Sequence, residues 1–351
     1  MIHLSSAWQN AISNNIHRPS ISAESTSHTL SENNSQKNRQ KSCTPLYFSI
    51  ILAASNKMST MPETETQPCP KVSVLLPIYN TQEKHLREAL ESVLNQTFKD
   101  FELLIINDSP DNTKLDEIVA SYDDPRIRYM RNEVNMGISP TRNKLLDFSR
   151  GEYIAVMDHD DICMPTRLEK QVTYLDEHPK VGVLGTQAQS IPAGKIPRTP
   201  EYDIEIKLAL MWGCVIIHPT AMIRRKVLLR NAVRYEAHYS PAEDHAMWCR
   251  LIPHTRFHNL QEDLLIYRAH KGNTSHTQQA RMRVAGDAVR VLAEQTAPGL
   301  YREYLMTARQ VTRIKLFGIL PLLKIVCQGF YKTVFLFGYI PLYTTRTSIK
   351  L

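Results

Sequence analysis

Gly151-Glu152-Tyr153-Ile154-Ala155-Val156-Met157-Asp158-His159-Asp160-Asp161 is the stretch on which the reading of this chain turns. An uncharged run, Tyr153–Met157, stops abruptly at three carboxylates within four residues. A short apolar run bounded in this way reads as a buried strand. Carboxylates crowded at its end repel one another unless a cation or a basic group compensates, and oxygen-only ligands suit Mg²⁺ or Mn²⁺. Taken alone, Asp158-x-Asp160 is better read as an acidic turn or a helix N-cap, because Met164-Pro165 follows and a helix begins there. The upstream sequence weighs against that blander reading. Val72–Leu76 is another apolar run, ended by Pro77. Glu83–Asn95 carries Leu86, Leu90, Val93 and Leu94 on one helical face. Phe101–Ile106 is a further strand, ended by the turn-forming Asn107-Asp108-Ser109-Pro110-Asp111-Asn112. A helical segment (Leu115, Ile118, Val119), the strand Ile127–Met130 and a helix from about Ser139 to Phe148 complete the series. Strand and helix alternating at this spacing predict an α/β fold with a mainly parallel sheet. Such sheets bind ligands beyond the carboxyl ends of their strands, and Asn80, Asp108 and Asp158 all fall at such ends.

Downstream the alternation loosens. Val181–Leu184, Thr220–Ile223 and Leu264–Tyr267 are expected as short strands, Glu243–Leu251 and Ala280–Glu294 as helices. Residues 1–70 are rich in Ser, Thr, Asn and Gln and cannot bury enough apolar surface to offset their ordering entropy, so disorder is expected there. Leu46–Ala54 is an apolar island behind Lys37, Arg39 and Lys41. It faintly resembles a signal-peptide core but lies far from Met1, and reads as part of an untargeted tail. Met58 or Met61 is expected to be the natural start. Residues 277–351 are expected to form a helical, basic extension. From Tyr301 onward eight basic residues face Glu303 alone, and Leu316–Leu322 recurs as Leu336–Leu342 twenty residues later. Two copies are too few for a solenoid.

The remaining composition excludes several classes. With 351 residues, 42% apolar and 22% charged, the chain can form one large domain or two ordinary ones. No G-x-G-x-x-G or G-x-x-x-x-G-K-[ST] occurs, against a Rossmann dinucleotide site and a P-loop. The uncharged stretches Ser42–Asn56 and Thr333–Thr345 fall short of the roughly 20 residues of a spanning helix. The six cysteines show no C-x-x-C pairing, which fits a reduced compartment and neither a zinc knuckle nor a disulfide framework.

The motifs together resemble a family 2 glycosyltransferase of the GT-A fold. Val72-Ser73-Val74-Leu75-Leu76-Pro77-Ile78-Tyr79-Asn80, Ser92-Val93-Leu94-Asn95-Gln96-Thr97-Phe98 and Glu102-Leu103-Leu104-Ile105-Ile106-Asn107-Asp108-Ser109 look like its opening. Asn135-Met136-Gly137-Ile138, Arg142-Asn143 and the stretch from Gly151 to Asp161 continue the likeness in order. His218-Pro219-Thr220, Ala242-Glu243-Asp244 with Trp248, and Tyr267-Arg268-Ala269-His270 with Asn273 and Ser275 complete it. It covers about residues 71–276, expected as the catalytic domain, a mainly parallel mixed sheet flanked by helices.

The resemblance implies a role for each matching position. Pro77, Tyr79 and Asn80 border the nucleotide pocket, and Asp108 hydrogen-bonds the uracil of a UDP-sugar. The usual Asp before it is Asn107 here. Arg142 lies near the donor phosphates. Asp158 contacts ribose or metal, and Asp160 ligates the Mn²⁺ or Mg²⁺ that bridges the diphosphate. Asp244 is the catalytic base with Glu243 beside it, although acidic residues also favour a helix N-terminus for its dipole alone. His270 is either a lid residue reaching the phosphates or metal, or a surface histidine at a strand end. His218 either lines the acceptor pocket or serves a loop. His159 points away from the metal by strand alternation, and Cys163, Cys214 and Cys249 pack as small apolar residues.

Physics supports these roles. A nucleoside diphosphate leaves readily only when its developing charge is neutralised, and the acceptor hydroxyl needs a carboxylate within hydrogen-bond reach. The expected activity is metal-dependent, inverting transfer of one sugar to a glycan or lipid-linked acceptor in cell-surface polysaccharide synthesis. A non-catalytic GT-A-like scaffold would be signalled by loss of Asp160 or Asp244, and both are present. A processive synthase carries Q-x-x-R-W and spanning helices, whereas here Gln278-Gln279-Ala280-Arg281 precedes Met282. A nucleotidyltransferase should show a Gly-rich activating loop near its start. No nucleic-acid partner is expected. A cytoplasmic enzyme is, with its basic tail either packed on the domain or touching anionic lipid at the inner face of the membrane.

Overall fold

The computed structural model describes residues 69–192, 194, 196–269 and 277–307, together with the backbone of four strands between 309 and 346. The expected disorder over residues 1–70 falls almost wholly outside the described residues, as do the expectations for His270, Asn273 and Ser275.

The expected parallel strands are β1 (Val72–Ile78), β2 (Phe101–Asn107), β3 (Ile127–Arg131) and β4 (Tyr153–Val156), joined through α1 (Glu83–Leu94), α2 (Lys114–Ala120) and α3 (Ile138–Phe148). Strand alternation divides the core. Val72, Val74, Leu76 and Ile78 of β1 pack with Leu86 and Leu90 of α1 and Ile118 of α2. Leu75 faces the other way, into a cluster with Leu145 of α3. Ser73, the one hydroxyl in the strand, is buried and donates to Glu102 Oε1 at 2.6 Å. A Cβ at Gly151 would lie 2.5 Å from Ser73 N, so only glycine lets the chain pass this close on its way into β4.

The stop expected at Pro77 is not observed, and β1 runs on to Ile78. Ile78 O accepts from Asp108 N at 2.9 Å on the β2 side. Position 77 therefore faces β4, whose pairing with β1 has already ended at Leu75 and Val156. A residue without an N–H leaves no ladder bond unmade there.

The chain continues through β5 (Ile162–Cys163), α4 (Arg167–Glu177), β6 (Val181–Ile191), α5 (Asp203–Leu210), β7 (Met222–Arg224), α6 (Arg225–Arg230), α7 (Glu243–Leu251) and β8 (Arg256–Arg268). One eight-stranded sheet results, in the order β3-β2-β1-β4-β7-β6-β8-β5. β7 is antiparallel to both β4 and β6, β8 is parallel to β6, and β5 is antiparallel to β8. The sheet is thus mixed, and β1 and β4 mark the point where the strand order reverses, the crevice at which open α/β sheets hold ligands. β6 and β8 far exceed their expected lengths. Beyond Gln187 the residues of β6 alternate between exposed and partly buried, and the β6–β8 register shifts around Thr186–Ala188, so no apolar run betrays the strand. Thr220 belongs to a 3-10 turn, His218–Thr220, opened by Pro219.

The expected boundary at 276 and the expected helical extension both need correction. α8 (Gln279–Thr296) and α9 (Pro298–Thr307) are helices, but Val289, Leu292, Ala293 and Tyr304 lie in the same core as Leu75 and Trp248. An apolar stripe at helical spacing needs a partner, and α5 and α7 supply it. From Arg309 the chain forms strands instead: β9 (Arg309–Leu316), β10 (Leu320–Gln328), β11 (Tyr331–Leu336) and β12 (Ile340–Arg346), an antiparallel sheet in order β12-β11-β10-β9. Pro321 and Pro341 exclude a helix interior. Each copy of the twenty-residue repeat spans the end of one strand and the start of the next, so the period is that of one hairpin. Among the described residues no helix is long and apolar enough to cross a membrane.

Candidate active site

The ends of β1 and β2 form one wall. Asn80 has φ +44°, a conformation that asparagine tolerates better than most residues. Its N–H donates to Ser109 Oγ at 2.7 Å, tying the two strand ends together. Tyr79 is half exposed, whereas Pro77 is buried within β1 and shapes the strand end rather than lining open space. Asp108 has an internal task that the sequence did not announce. Its Oδ1 accepts from Asn132 Nδ2 and Met136 N, and its Oδ2 from Gly137 N, each at 2.8 Å. Gly137, at φ +82°, then leads into α3. Asp108 thus anchors the loop 132–137. Asn107 forms the turn beside it, accepting from Ser109 N at 2.9 Å and donating to Asp116 at 3.0 Å.

The centre of the site is Arg142, delivered by α3 and 7% exposed. Nη2 donates to Asp158 Oδ1 and Nη1 to Glu243 Oε1, each at 3.0 Å. The guanidinium sits 5.5 Å from the centre of the Tyr235 ring. Burial opposes its charge, yet Asp158, Tyr235, Glu243 and Asp244 around it hold it protonated more firmly than an ordinary arginine. Removing one partner of such a buried pair costs about 3–5 kcal/mol, because a charge is left without compensation. Arg142 thus joins the end of β4 to the start of α7.

Glu243 and Asp244 open α7, and they differ. Glu243 is buried, its Oε2 has no hydrogen-bond partner, and burial raises its pKa against the pull of Arg142. Asp244 is partly exposed. Its Oδ1 accepts from His245 N at 2.7 Å and its Oδ2 lies 3.7 Å from Cys214 Sγ. Burial raises its pKa too, opposed by the His245 N–H and Arg142. Cys163 and Cys249 are buried as expected, but Cys214 is exposed beside Asp244 and does not pack as an apolar residue. His218 is buried against Tyr235 and Trp248, and its pKa is lowered to about 3 by burial and by Arg142. It is neutral, with Nε2 3.3 Å from the Tyr235 hydroxyl.

The acidic turn after β4 is braced from below. Asp158 keeps 29% of its side chain exposed. Asp161 is buried, its Oδ1 accepting from Arg268 N at 2.8 Å while Oδ2 has no partner. Burial, and then Asp158 and Asp160, push its pKa well above the usual range. Arg268 Nε donates to Asp160 O at 2.8 Å. Fully buried Arg167 of α4 donates to Val156 O at 2.8 Å and to Cys163 Sγ at 3.1 Å, directly behind the turn. Nothing in the local sequence marked Arg167 or Arg268 for this service; a buried arginine is visible only once its surroundings are. His159 Nδ1 is buried without a partner.

A divalent cation fits this turn in one particular way. Among the described residues no group of three or more His, Cys, Asp or Glu could hold a metal. Two oxygen-donor carboxylates, Asp158 and Asp160, with an all-oxygen ligand completing the shell, suit Mg²⁺ or Mn²⁺, which are commonly held by one or two carboxylates plus substrate phosphates.

The comparisons with known proteins bear on the family and the fold. The model of Glycosyl transferase family 2 matches residues 73–231. An uncharacterized glycosyltransferase of Methanocaldococcus jannaschii is 36% identical over 207 residues, which are 57% of this chain and 71% of that protein. The O-antigen biosynthesis glycosyltransferase WbnJ of Escherichia coli is 29% identical over 228 residues, 62% of this chain and 87% of its own length. The crystal structure of S. aureus TarS 1-349 in complex with UDP-GlcNAc superposes with a TM-score of 0.55 at 21% identity, covering 67% of this chain and 72% of that one. A strand order that reverses between β1 and β4, motifs in the expected succession and relatives matched over more than two thirds of their length lead to one assignment: the chain belongs to glycosyltransferase family 2 and is a glycosyltransferase of the GT-A fold.

Proposed function

We propose that the enzyme moves one sugar from a UDP-sugar to a hydroxyl of a glycan or lipid-linked acceptor, with inversion, using Mn²⁺ or Mg²⁺, in cell-surface polysaccharide synthesis. The observation that carries this reading is Arg142 between Asp158 and Glu243, which brings the carboxylates of the β4 end and of the α7 start into one site. Asp158 and Asp160 hold the cation, which when bound neutralises charge on the diphosphate leaving group. Tyr79 and Asn80 border the nucleotide, with Pro77 shaping the strand end behind them. Asp108 holds the loop 132–137 in place and keeps one lone-pair site for the base ring. Asp244 takes the proton of the acceptor hydroxyl, and its raised pKa brings it nearer the working pH. One carboxylate suffices for inversion, because attack comes from the face opposite the leaving group. His270 is the lid residue in this reading.

UDP as the donor nucleotide follows the UDP-GlcNAc held by TarS, and polysaccharide synthesis follows the O-antigen role in the name of the E. coli relative. The basic segment after Thr307 is the part that meets anionic lipid. The test is a panel of UDP- and GDP-sugars with Mn²⁺ and with excess chelator, following sugar release and the anomeric configuration of the product. Release of UDP from one UDP-sugar, lost in chelator, is expected; full turnover in chelator excludes the assigned cation. Co-sedimentation with anionic and neutral vesicles tests the lipid contact, which high salt should reverse.

A further inference from the structure

The two carboxylates that open α7 do different work. Oε1 of Glu243 is spent on Arg142, and Oε2 is buried without a partner. A general base must come within about 3 Å of the proton it removes, and a buried oxygen behind an ion pair does not. Asp244, one residue on, is partly exposed, the more accessible of the two carboxylates. What Glu243 does hold is the helix itself. Ala242 precedes α7 and supplies no side-chain cap, so the first turn lacks the usual fastening. Arg142 is in turn locked on the far side. Asn143, its neighbour in α3, donates to Tyr235 O at 2.8 Å and accepts from Tyr235 N at 2.9 Å, which sets the Tyr235 ring by the guanidinium. The remaining terminal nitrogen of Arg142 goes to Asp158, at the end of β4.

We infer that Glu243 is a positioning residue and not the proton acceptor: through Arg142 it ties the first turn of α7, which carries Asp244, to Asp158 on the donor side, so that filling the donor site orders the base. The inference rests on the transfer reading above and deepens it. It makes donor binding and the placement of the base one event, carried by a physical connection of two ion pairs on a single cation. Gln at 243 keeps an oxygen to accept from Arg142 Nη1, whereas Ala removes it.

The test uses the full chain and its Glu243→Gln, Glu243→Ala and Asp244→Asn variants, with UDP and Mn²⁺ as the binding probe. Amide hydrogen exchange is read across 243–247, and turnover is read on the nucleotide-sugar panel. In the parent, UDP should slow exchange in this turn by about fivefold or more, the scale of ordinary coupling between sites. Glu243→Ala should lose that protection and most turnover, and Glu243→Gln should recover most of both. Asp244→Asn should keep the protection and lose turnover. If Glu243→Gln is as inactive as Asp244→Asn while UDP still protects the turn, Glu243 is the proton acceptor and the inference falls. It also falls if UDP binds the parent without changing exchange at 243–247. If no nucleotide binds and no sugar is released, the transfer reading itself fails. The positioning role is then decided by ligand-free exchange: faster opening in Glu243→Ala but not in Glu243→Gln upholds it, and equal rates overturn it. Should Glu243→Ala not fold, Glu243→Asp, one methylene short of Arg142, takes its place.

Discussion

On one side of β4 the large sheet is parallel, with each strand joined to the next by a helix; β1–β2 and β2–β3 pair close in sequence, and β1–β4 is the one long-range pairing of that half. On the other side β7, β6, β8 and β5 pair across long separations: Ile162 with Ile266, Val183 with Phe257. The two halves carry different parts of the site. The parallel half brings Asn80, Asp108 and Asp158 to its strand ends by repetition of one βα unit. The mixed half, with α7, brings Glu243, Asp244 and His218 to the same place by contacts that no local pattern encodes. In the proposed reading the donor pocket is thus a property of the repeated unit, and the base side is a property of the whole assembly. Arg142 is the join.

The sharpest way to test that division is to disable one side at a time. Asp244→Asn should lower kcat by about 10²- to 10⁴-fold, the usual contribution of a positioned base, while UDP affinity stays within experimental error. In the parent, activity should fall with decreasing pH through a limb above the ordinary aspartate range, because the raised carboxyl of Asp244 must be ionised to accept a proton. A comparable loss of UDP binding would put Asp244 in the donor pocket and erase the distinction. Asp160→Asn is the converse: nearly isosteric at a strand end, it should keep the melting temperature, weaken UDP binding in Mn²⁺ and lower turnover roughly a hundredfold, on the several kcal/mol that a bound cation supplies. Unchanged UDP affinity in this variant would remove Asp160 from the donor side.

Smaller effects probe how the mixed half is held. A chain ending at Ala297 lacks Tyr304, which is 6% exposed and stacks on Trp212. It should be destabilised by about 2 kcal/mol, the scale of one large buried side chain. A chain ending at Thr307 keeps this contact and should melt with the parent. Equal melting of both truncations would mean that α9 is not part of the core. The last effect is confined to acid pH and is read in His218. Its folded pKa is about 3 against 6.5 for a free histidine, so unfolding takes up a proton below pH 6.5. Stability therefore falls as pH drops from 6.5 toward 3, by about 1.4 kcal/mol per pH unit for this one group. His218→Gln should remove that share of the slope, read as the difference between the two stability curves, in which the raised carboxylates of Asp161, Glu243 and Asp244 cancel. Parallel curves would show that His218 is not held neutral.

Legibility followed the same line. Val72–Leu76, Phe101–Ile106 and Glu243–Leu251 stood out because the first two are short apolar runs bounded by turn signals and the third fits a helix opened by acidic residues. β6 and β8 did not, because their outer halves alternate with polar residues and slip in register around Thr186–Ala188. Pro77 misled as a stop because its missing N–H matters only if a neighbour is there to receive one, and β4 has already ended. The tail misled as a helix because its apolar runs are ambiguous in period, and only strand pairing resolves them.

The order of residues alone determined the alternating βα core, the acidic turn at Asp158–Asp161 and the pair Glu243-Asp244, since each is a local pattern whose physics acts within a few residues. Which of the two carboxylates is exposed, that Asp108 anchors the loop 132–137, that Cys214 stands beside Asp244 and that Arg167 lies behind the acidic turn were decided only by tertiary structure. Burial and pairing are set by groups that fold against a residue from distant sequence, and the same side chain is a solvated charge or half of a buried ion pair according to what arrives there.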